Sequence, residues 1–553
     1  MDSPRILHRL NFPGVDWTLL FGKGVTTLGN QWPLLGVTTS WAAALMVVII
    51  SSFYLSSAKL HPQEPPVITS VVPFVGHLLG MIVNGGRYIK SIGITNRDKP
   101  IFTLPVPRSR IYVVTDPVLA AAVQRASRAL SFTPLVPDIT KRVLGLDDAT
   151  VAAVRQNLDP EPGDERRGFL ADMHDMMYRN LGPGEALESL SSGAANELSR
   201  QINTYVADLQ YRQPGGAPTI KVDLLEWVRH FVTVGTAQFL YGPNNPIAAH
   251  PELEQAFWDF DHGLGLLLMG LAPSITARKP YRGREALAAA FTEYITAGHD
   301  SEAAAIVRKR VAIAEEYGWP ASSTARSELS FLFAGIVNTA TTTFWVVLQI
   351  FARPELLAAV RGELAKITGE RESERTLSLD GVKNECPILL AVFRECLRLG
   401  SNNFSTRLVK TDTMLAERYL LKANSVVQVA GGVIHADRQI WGDDVDVFNP
   451  GRFLKPQQGG SARPSVHPAA FRSFGGGKTL CPGRHFATTE ILSLVAMIVL
   501  TFDLEAVGGG EIVVPAPDDG VLPVHILEPK ASDAVEVVVK LRSDGATPLK
   551  IVP

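Results

Sequence analysis

Cysteine is scarce in this 553-residue chain, which has only Cys386, Cys396 and Cys481. An odd and sparse set cannot frame the fold with disulfides, so a reducing compartment suits it. Excess charge is missing too, with 53 Lys and Arg against 55 Asp and Glu. Without a basic surplus there is no general electrostatics for gripping phosphate backbones, and nucleic acid is excluded as an expected partner. At 46% hydrophobic and 20% charged the composition also excludes wholesale disorder and collagen-like repetition. No internal repeat of roughly 20–50 residues is visible.

One long uncharged run is present instead. Leu34–Leu55 holds 22 residues without a charge, and at ~1.5 Å per residue a helix of that length crosses a ~30 Å hydrocarbon layer. A cleaved signal peptide would begin nearer the N-terminus, so the reading is a transmembrane anchor at 34–55 behind a flank at 1–33. A buried core helix is the alternative. Basic residues lie on both sides, which leaves the orientation open. Pro62, Pro65, Pro66 and Pro73 predict a stiff extended connector over 56–76, with a catalytic domain over 77–553. Pro100–Pro107 and Arg110–Thr115 predict a strand pair running into the helix DPVLAAAVQRA. Helical patterns dominate from Asp172 to Ile367, and β-rich runs return between Ile512 and Leu541. The expected class is mainly α with a smaller β component.

Near the C-terminus stands FGGGKTLCPGRHFA, Phe474 to Ala487. Glycines let the backbone approach something flat or bulky, and Pro482-Gly483 turns the chain into a helix. A thiolate at a helix N-terminus gains from the dipole and from backbone N–H groups, the setting an axial cysteine on haem iron needs. Taken alone, Cys481 reads more readily as an inert buried thiol, and the full spacing reverses that reading. Phe474, Gly477, Cys481 and Gly483 fit F-x-x-G-x-x-x-C-x-G, which resembles the haem-binding signature of the cytochrome P-450 family. Glu395 and Arg398 in FRECLRL resemble that family's E-x-x-R, and Arg452 in FNPGRF its second arginine, although Gly451 stands where an acid is usual. The resemblance covers the chain after residue 60. It implies the cytochrome P-450 fold, preceded here by one N-terminal transmembrane helix, and haem b (iron protoporphyrin IX) with Cys481 as its metal ligand. Residues three apart share a helix face, so Glu395 and Arg398 are expected to pair in a buried network that scaffolds the haem pocket, a solvated pair being the alternative.

LSFLFAGIVNTATTTFWVVLQIFARPE carries no charge between Glu328 and Arg353 and predicts a long buried helix. Ala334 and Gly335 are small enough to let a macrocycle and a diatomic ligand approach. The resemblance implies A-G-x-[D/E]-T at this place, but Val337 replaces the acid and Asn338 the alcohol, with Thr339 next. Cleaving dioxygen requires protons, which the usual acid and alcohol arrange through water. Asn338 relays a proton less readily than a hydroxyl, yet Asn338 and Thr339 are the expected catalytic pair, against the alternative of Asn338 as a packing amide. Thr341, Thr342 and Thr343 read as back-bonded helix residues. Asn338 followed by Phe344-Trp345 resembles the branch holding sterol 7α-hydroxylases and prostacyclin synthase, and the cysteine loop looks closer to the sterol hydroxylases. Thr479 stands where many members place an Arg or His for a haem propionate; Arg407 and then Lys478 are the expected replacements. His174 and Arg179 are substitutes for a W-x-x-x-R that the Asp172–Asn180 helix lacks. The resemblance implies that the apolar, Gly-broken run Phe260–Pro273 covers the pocket and touches the membrane, core packing being the alternative, and that Val521 and Leu522 reach the pocket.

The resemblance therefore implies a monooxygenase that draws electrons from NADPH through NADPH–cytochrome P-450 reductase, with cytochrome b5 as a further donor. It would insert one oxygen atom from O2 into a lipophilic small molecule (terpenoid, steroid or polyketide-like) in secondary metabolite biosynthesis. The implied location is the endoplasmic reticulum membrane, single-pass, with the catalytic domain in the cytosol. An alternative, prompted by Val337, is a haem-thiolate isomerase or dehydratase that acts on an oxygenated lipid without external electrons. Gly477-Lys478-Thr479 looks like the end of a phosphate loop, but Arg472 occupies the required glycine position and no strand precedes it. A non-enzymatic haem or gas-sensing protein is the remaining alternative.

Overall fold

Two apolar helices carry the centre of the protein: Ala321–Phe351, here called the distal helix, and Arg484–Thr501, the cysteine helix. Both are long and apolar enough to cross a bilayer, yet most of each is buried in protein, and they act as core helices. The computed structural model describes residues 60–70, 75–161, 163–164, 167–213, 218–371, 374–454, 466–520 and 525–553. The anchor expected at 34–55, the flank at 1–33, and Val521 and Leu522 lie outside the described residues. Around the core pair pack Phe169–Leu181, Glu185–Arg212, Leu224–Tyr241 and Arg278–Thr296.

The expected strand pair forms over Ile101–Val106 and Ser109–Val114, antiparallel with Ile101 opposite Val114. Asp116 accepts from Leu119 N at 2.8 Å and caps the helix Pro117–Arg125, with Pro117 in its first turn. Val426–Ala430 extends the sheet in parallel, followed by Phe404–Val409 and Leu130–Ser131. A strand that the helical pattern hid, Thr219–Asp223, pairs with Glu536–Leu541, which also pairs with Phe502–Ala506. Mainly α with a smaller β component is the class observed among the described residues.

Residues 60–70 do not hang free as a spacer. Thr103 N donates to Pro66 O at 2.8 Å, and Ile68 N donates to Thr103 O at 3.0 Å. Glu64, 8% exposed, takes Arg110 at 2.5 Å and the Tyr112 hydroxyl at 2.7 Å. A buried acid held by a guanidinium and a phenol fixes this part of the connector to the sheet. Within the expected 56–76 span a helix already begins at Val75. That helix, Val75–Asn84, exposes Leu78, Leu79, Ile82 and Val83 on one face, and the segment 264–276 exposes Leu266, Met269, Leu271 and Ile275. Apolar side chains at helical spacing that no partner covers among the described residues mark an interaction surface.

Candidate functional site

The cysteine loop is shaped by its glycines. Gly475 and Gly477 hold φ of 76° and 63°, the left-handed region that glycine enters without steric cost. A Cβ on Gly476 would lie 1.9 Å from Nε2 of Gln124. The tight approach that these glycines allow is therefore to the helix Pro117–Arg125. Phe474 packs against the core, and its carbonyl accepts from Cys481 N at 2.9 Å. Gly483 caps the cysteine helix, and the backbone N–H groups of Gly483 and Arg484 face the Cys481 sulfur closely enough to favour its charged form.

Those donors and the Arg484 charge pull the thiol's pKa down, but burial outweighs them and leaves it above its ordinary value. The loop prepares the sulfur, and a ligated cation would complete the deprotonation that the helix N-terminus favours. The flank helix Phe169–Leu181 supports the loop from below. His174 Nε2 meets Lys478 O at 3.4 Å, and the Tyr178 hydroxyl donates to Leu480 O. The two rings sit 4.4 Å apart, whereas Arg179 is exposed and bonds back to Asp175 O. Spacing of four puts His174 and Tyr178 on one face, so Tyr178 and not Arg179 is the partner of His174.

Glu395 and Arg398 form the buried pair expected, at 2.7 and 2.8 Å and 0% and 2% exposed. Glu395 Oε1 also accepts from Asn449 N at 3.0 Å and from Arg452 Nε at 3.2 Å. The acid missing at Gly451 is replaced by Asp444, which takes Arg452 Nη1 at 2.7 Å. Asn449 and Arg452 hold the Asp444 carboxyl down at about 2. Arg398 Nη1 donates to His435 O at 2.9 Å, and His435 Nε2 accepts from Arg472 N at 2.8 Å. The other ring nitrogen lies 3.1 Å from Ser401 O, which assigns its proton to Nδ1. Burial pushes His435 down to about 3, so the ring stays neutral and links the E-x-x-R pair to the cysteine loop.

Arg472 was readable in the sequence only as the residue that breaks a phosphate loop. In the structure it is 1% exposed, its Nη2 has no partner among the described residues, and it faces Arg407. Arg407 is 5% exposed; its Nη2 donates to Gly476 O at 3.3 Å and to the Thr479 hydroxyl. Burial lowers both guanidinium groups to about 10, and neither has a carboxylate ion-pair partner among the described residues. Two buried cations with an unfilled donor beside the cysteine loop fit the carboxylates of haem. Lys478 is an exposed side chain, so Arg472 and not Lys478 stands with Arg407.

On the distal helix Ala334 and Asn338 are exposed one turn apart, while Ile336, Val337 and Thr339 are buried. Asn338 Oδ1 accepts from Ile526 N at 2.8 Å, and its N–H2 is left for a ligand or water on the open face. Thr339, expected beside it in catalysis, lies about 100° further round the helix and is 3% exposed, so it does not share that face. Thr341 back-bonds to Val337 O at 3.1 Å, as expected.

A cysteine loop, an E-x-x-R network and a small-residue distal helix together define a haem-thiolate protein. Residues 322–526 match the family described as Cytochrome P450. The chain is 33% identical over 466 residues to cytochrome P450 monooxygenase nodJ of Hypoxylon pulicicidum, covering 82% of this chain and 85% of that protein. It is 25% identical over 498 residues to the 5-beta-cholestane-3-alpha,7-alpha-diol 12-alpha-hydroxylase of Sus scrofa, covering 86% and 92%. With cytochrome P450 7A1 of Rattus norvegicus it shares 22% over 509 residues, covering 86% and 93%. The chain belongs to the cytochrome P450 family, on the sterol-hydroxylase side that the distal asparagine and the cysteine loop suggested. It is a P450 monooxygenase, and haem b is its cofactor.

Proposed function

We propose that this monooxygenase inserts one oxygen atom into a lipophilic, biosynthetic small molecule of terpenoid, steroid or polyketide type, with electrons from NADPH delivered by a membrane-bound reductase. The observation that carries the lipophilic reading is the pair of uncovered apolar faces, with Val83 77% and Ile275 79% exposed. Such faces seat on a bilayer surface and admit substrate from it. Together with the anchor expected at 34–55 they support a single-pass protein of the endoplasmic reticulum with a cytosolic catalytic domain. Fungal and mammalian relatives named for monooxygenation and sterol hydroxylation support the same substrate class.

When bound at Cys481, haem supplies the oxygen-activating chemistry. The chain's own residues set its surroundings. Gly483 and Arg484 N–H groups face the sulfur, Arg407 and Arg472 would take the carboxylates, and Asn338 would offer N–H2 to a water on the open face. Lys478 and Arg179 stay exposed on the cysteine side, where cations suit an acidic electron donor. The isomerase alternative draws on Val337 and on the Asn338 carbonyl held by Ile526, which leave positions 337 and 338 of the distal helix without an acid.

The test is oxygen and electron accounting. Full-length protein in vesicles with reductase, NADPH and lipophilic extracts under labelled dioxygen should yield products one labelled oxygen heavier, and Cys481→Ala should yield none. Mass-neutral conversion that proceeds without reductase and NADPH would replace this reading with the isomerase one.

A further inference from the structure

Where residues 525–529 cross the distal helix, the protein carries polar groups beyond those it uses. Asp261, next to last in the helix Leu253–His262, is 5% exposed. Its Oδ1 lies 3.1 Å from Nε2 of His525, but the two are not aligned to bond, and neither atom has a hydrogen-bond partner among the described residues. The His525 ring stands edge-on to Phe333 at 5.6 Å, and the next residue's N–H is the one held by Asn338. This places the pair at the flank of the face that exposes Ala334 and Asn338.

The neighbouring charges are already engaged. Glu528 accepts from Arg229 at 2.5 Å and from Thr341 at 3.3 Å, and His262 lies 3.5 Å away. Arg229 also donates to Glu226 at 2.5 Å and stacks over Trp258 at 4.2 Å. Carboxylate and imidazole ligands of Asp261, His262 and Glu528 come close enough to hold a metal ion. The fixed Arg229 cation on Glu528 opposes one there, because like charges in a poorly solvated place repel strongly. What stays without a hydrogen bond is one buried carboxylate oxygen and one buried imidazole nitrogen, 3.1 Å apart.

A hydroxyl satisfies both at once, donating its proton to Asp261 and accepting from the N–H of His525. A methyl group there would leave a buried carboxylate and an imidazole unpaired, and a site built around a hydroxyl rejects the analogue lacking it. We propose that Asp261 and His525 form the polar end of the substrate pocket and hold a hydroxyl already present on an otherwise lipophilic substrate. This rests on the lipophilic-substrate reading above and deepens it: the substrate is an alcohol. A step that installs or unmasks a hydroxyl must precede this enzyme.

The test uses the full-length haem-loaded protein and a series of 1-alkylimidazoles of increasing chain length, each with and without a terminal hydroxyl. The imidazole nitrogen ligates iron and reports binding as a spectral shift, and the tail explores the pocket. At one chain length the hydroxylated compound should bind at least about tenfold more tightly. That preference should vanish in Asp261→Leu and in His525→Phe, while the plain alkylimidazoles bind both variants at least as well as they bind the wild type. If either variant loses haem, Asp261→Asn and the wild-type length series decide. Equal affinity within every pair, or a preference that survives both substitutions, overturns the proposal. A protein that gives no shift with any alkylimidazole would overturn the pocket reading beneath it.

Discussion

Arg407 and Arg472 show what a single residue position costs and gains. A buried guanidinium without an acid is destabilising, and two side by side are more so, until an anion joins them. We predict that Arg472→Met makes the haem-free protein more stable, read as a higher urea midpoint. The same variant should release haem to an excess of apomyoglobin roughly tenfold faster or more. Lower stability together with unchanged haem release would remove Arg472 from the site. Cys481, Glu395 and Arg398 were legible in the sequence because their spacing is set by local geometry, one loop and one helix turn. Arg472 was not, since its partner lies on a strand 65 positions earlier, at Arg407. Its one local signal is that it is the sole charge in the run from Val466 to Gly477. Asp444, which stands in for the acid missing at Gly451, and His435, which joins Arg398 to the loop, were hidden for the same reason.

At the scale of elements, the distal helix and the 525–529 segment behave as one unit. Ile526 N is held by Asn338, Trp345 Nε1 donates to Leu527 O at 2.7 Å, and Leu527 N donates to Gly400 O at 2.8 Å. The packing-amide alternative for Asn338 therefore describes its carbonyl, whereas its N–H2 is left for the open face. We predict that Asn338→Ala and Trp345→Phe each speed deuterium uptake in a peptide covering 525–529 by roughly fivefold, the equivalent of about one hydrogen bond. Unchanged uptake in both would mean that the segment is held by packing alone. Periodicity made the long helices and the Ile101–Val114 strand pair legible, because a 3.6 or a 2.0 repeat persists over enough residues to be counted. Thr219–Asp223 was not, being five residues between two helices and given its strand character by Glu536–Leu541 more than 300 positions on.

Over the whole molecule, two buried groups with opposite shifts shape stability against pH. Glu490 lies on the cysteine helix, 2% exposed, where Thr236 donates to it at 3.3 Å and its Oε2 has no partner among the described residues. Burial raises it from 4.5 to about 8, so the folded chain keeps a proton that the unfolded chain has lost. Its contribution is whole below about pH 4.5 and drains away as pH rises to about 8. His435 runs the other way: burial lowers it from 6.5 to about 3, so its contribution is whole above pH 6.5 and drains as pH falls. Between 4.5 and 6.5 the two slopes, each roughly 1.4 kcal/mol per pH unit, oppose and cancel. Of these two groups, only Glu490 still loses stability above 6.5. Glu490→Gln removes that loss and leaves the histidine untouched, so subtracting wild type from variant isolates one group. Urea unfolding of both proteins from about pH 5 to 9 should show the variant gaining on the wild type by roughly 1.4 kcal/mol per pH unit until about pH 8, then holding level. Parallel curves across that range would mean that Glu490 titrates as an ordinary solvated acid, and that the contact between the cysteine helix and the helix Leu224–Tyr241 is wetter than its packing shows.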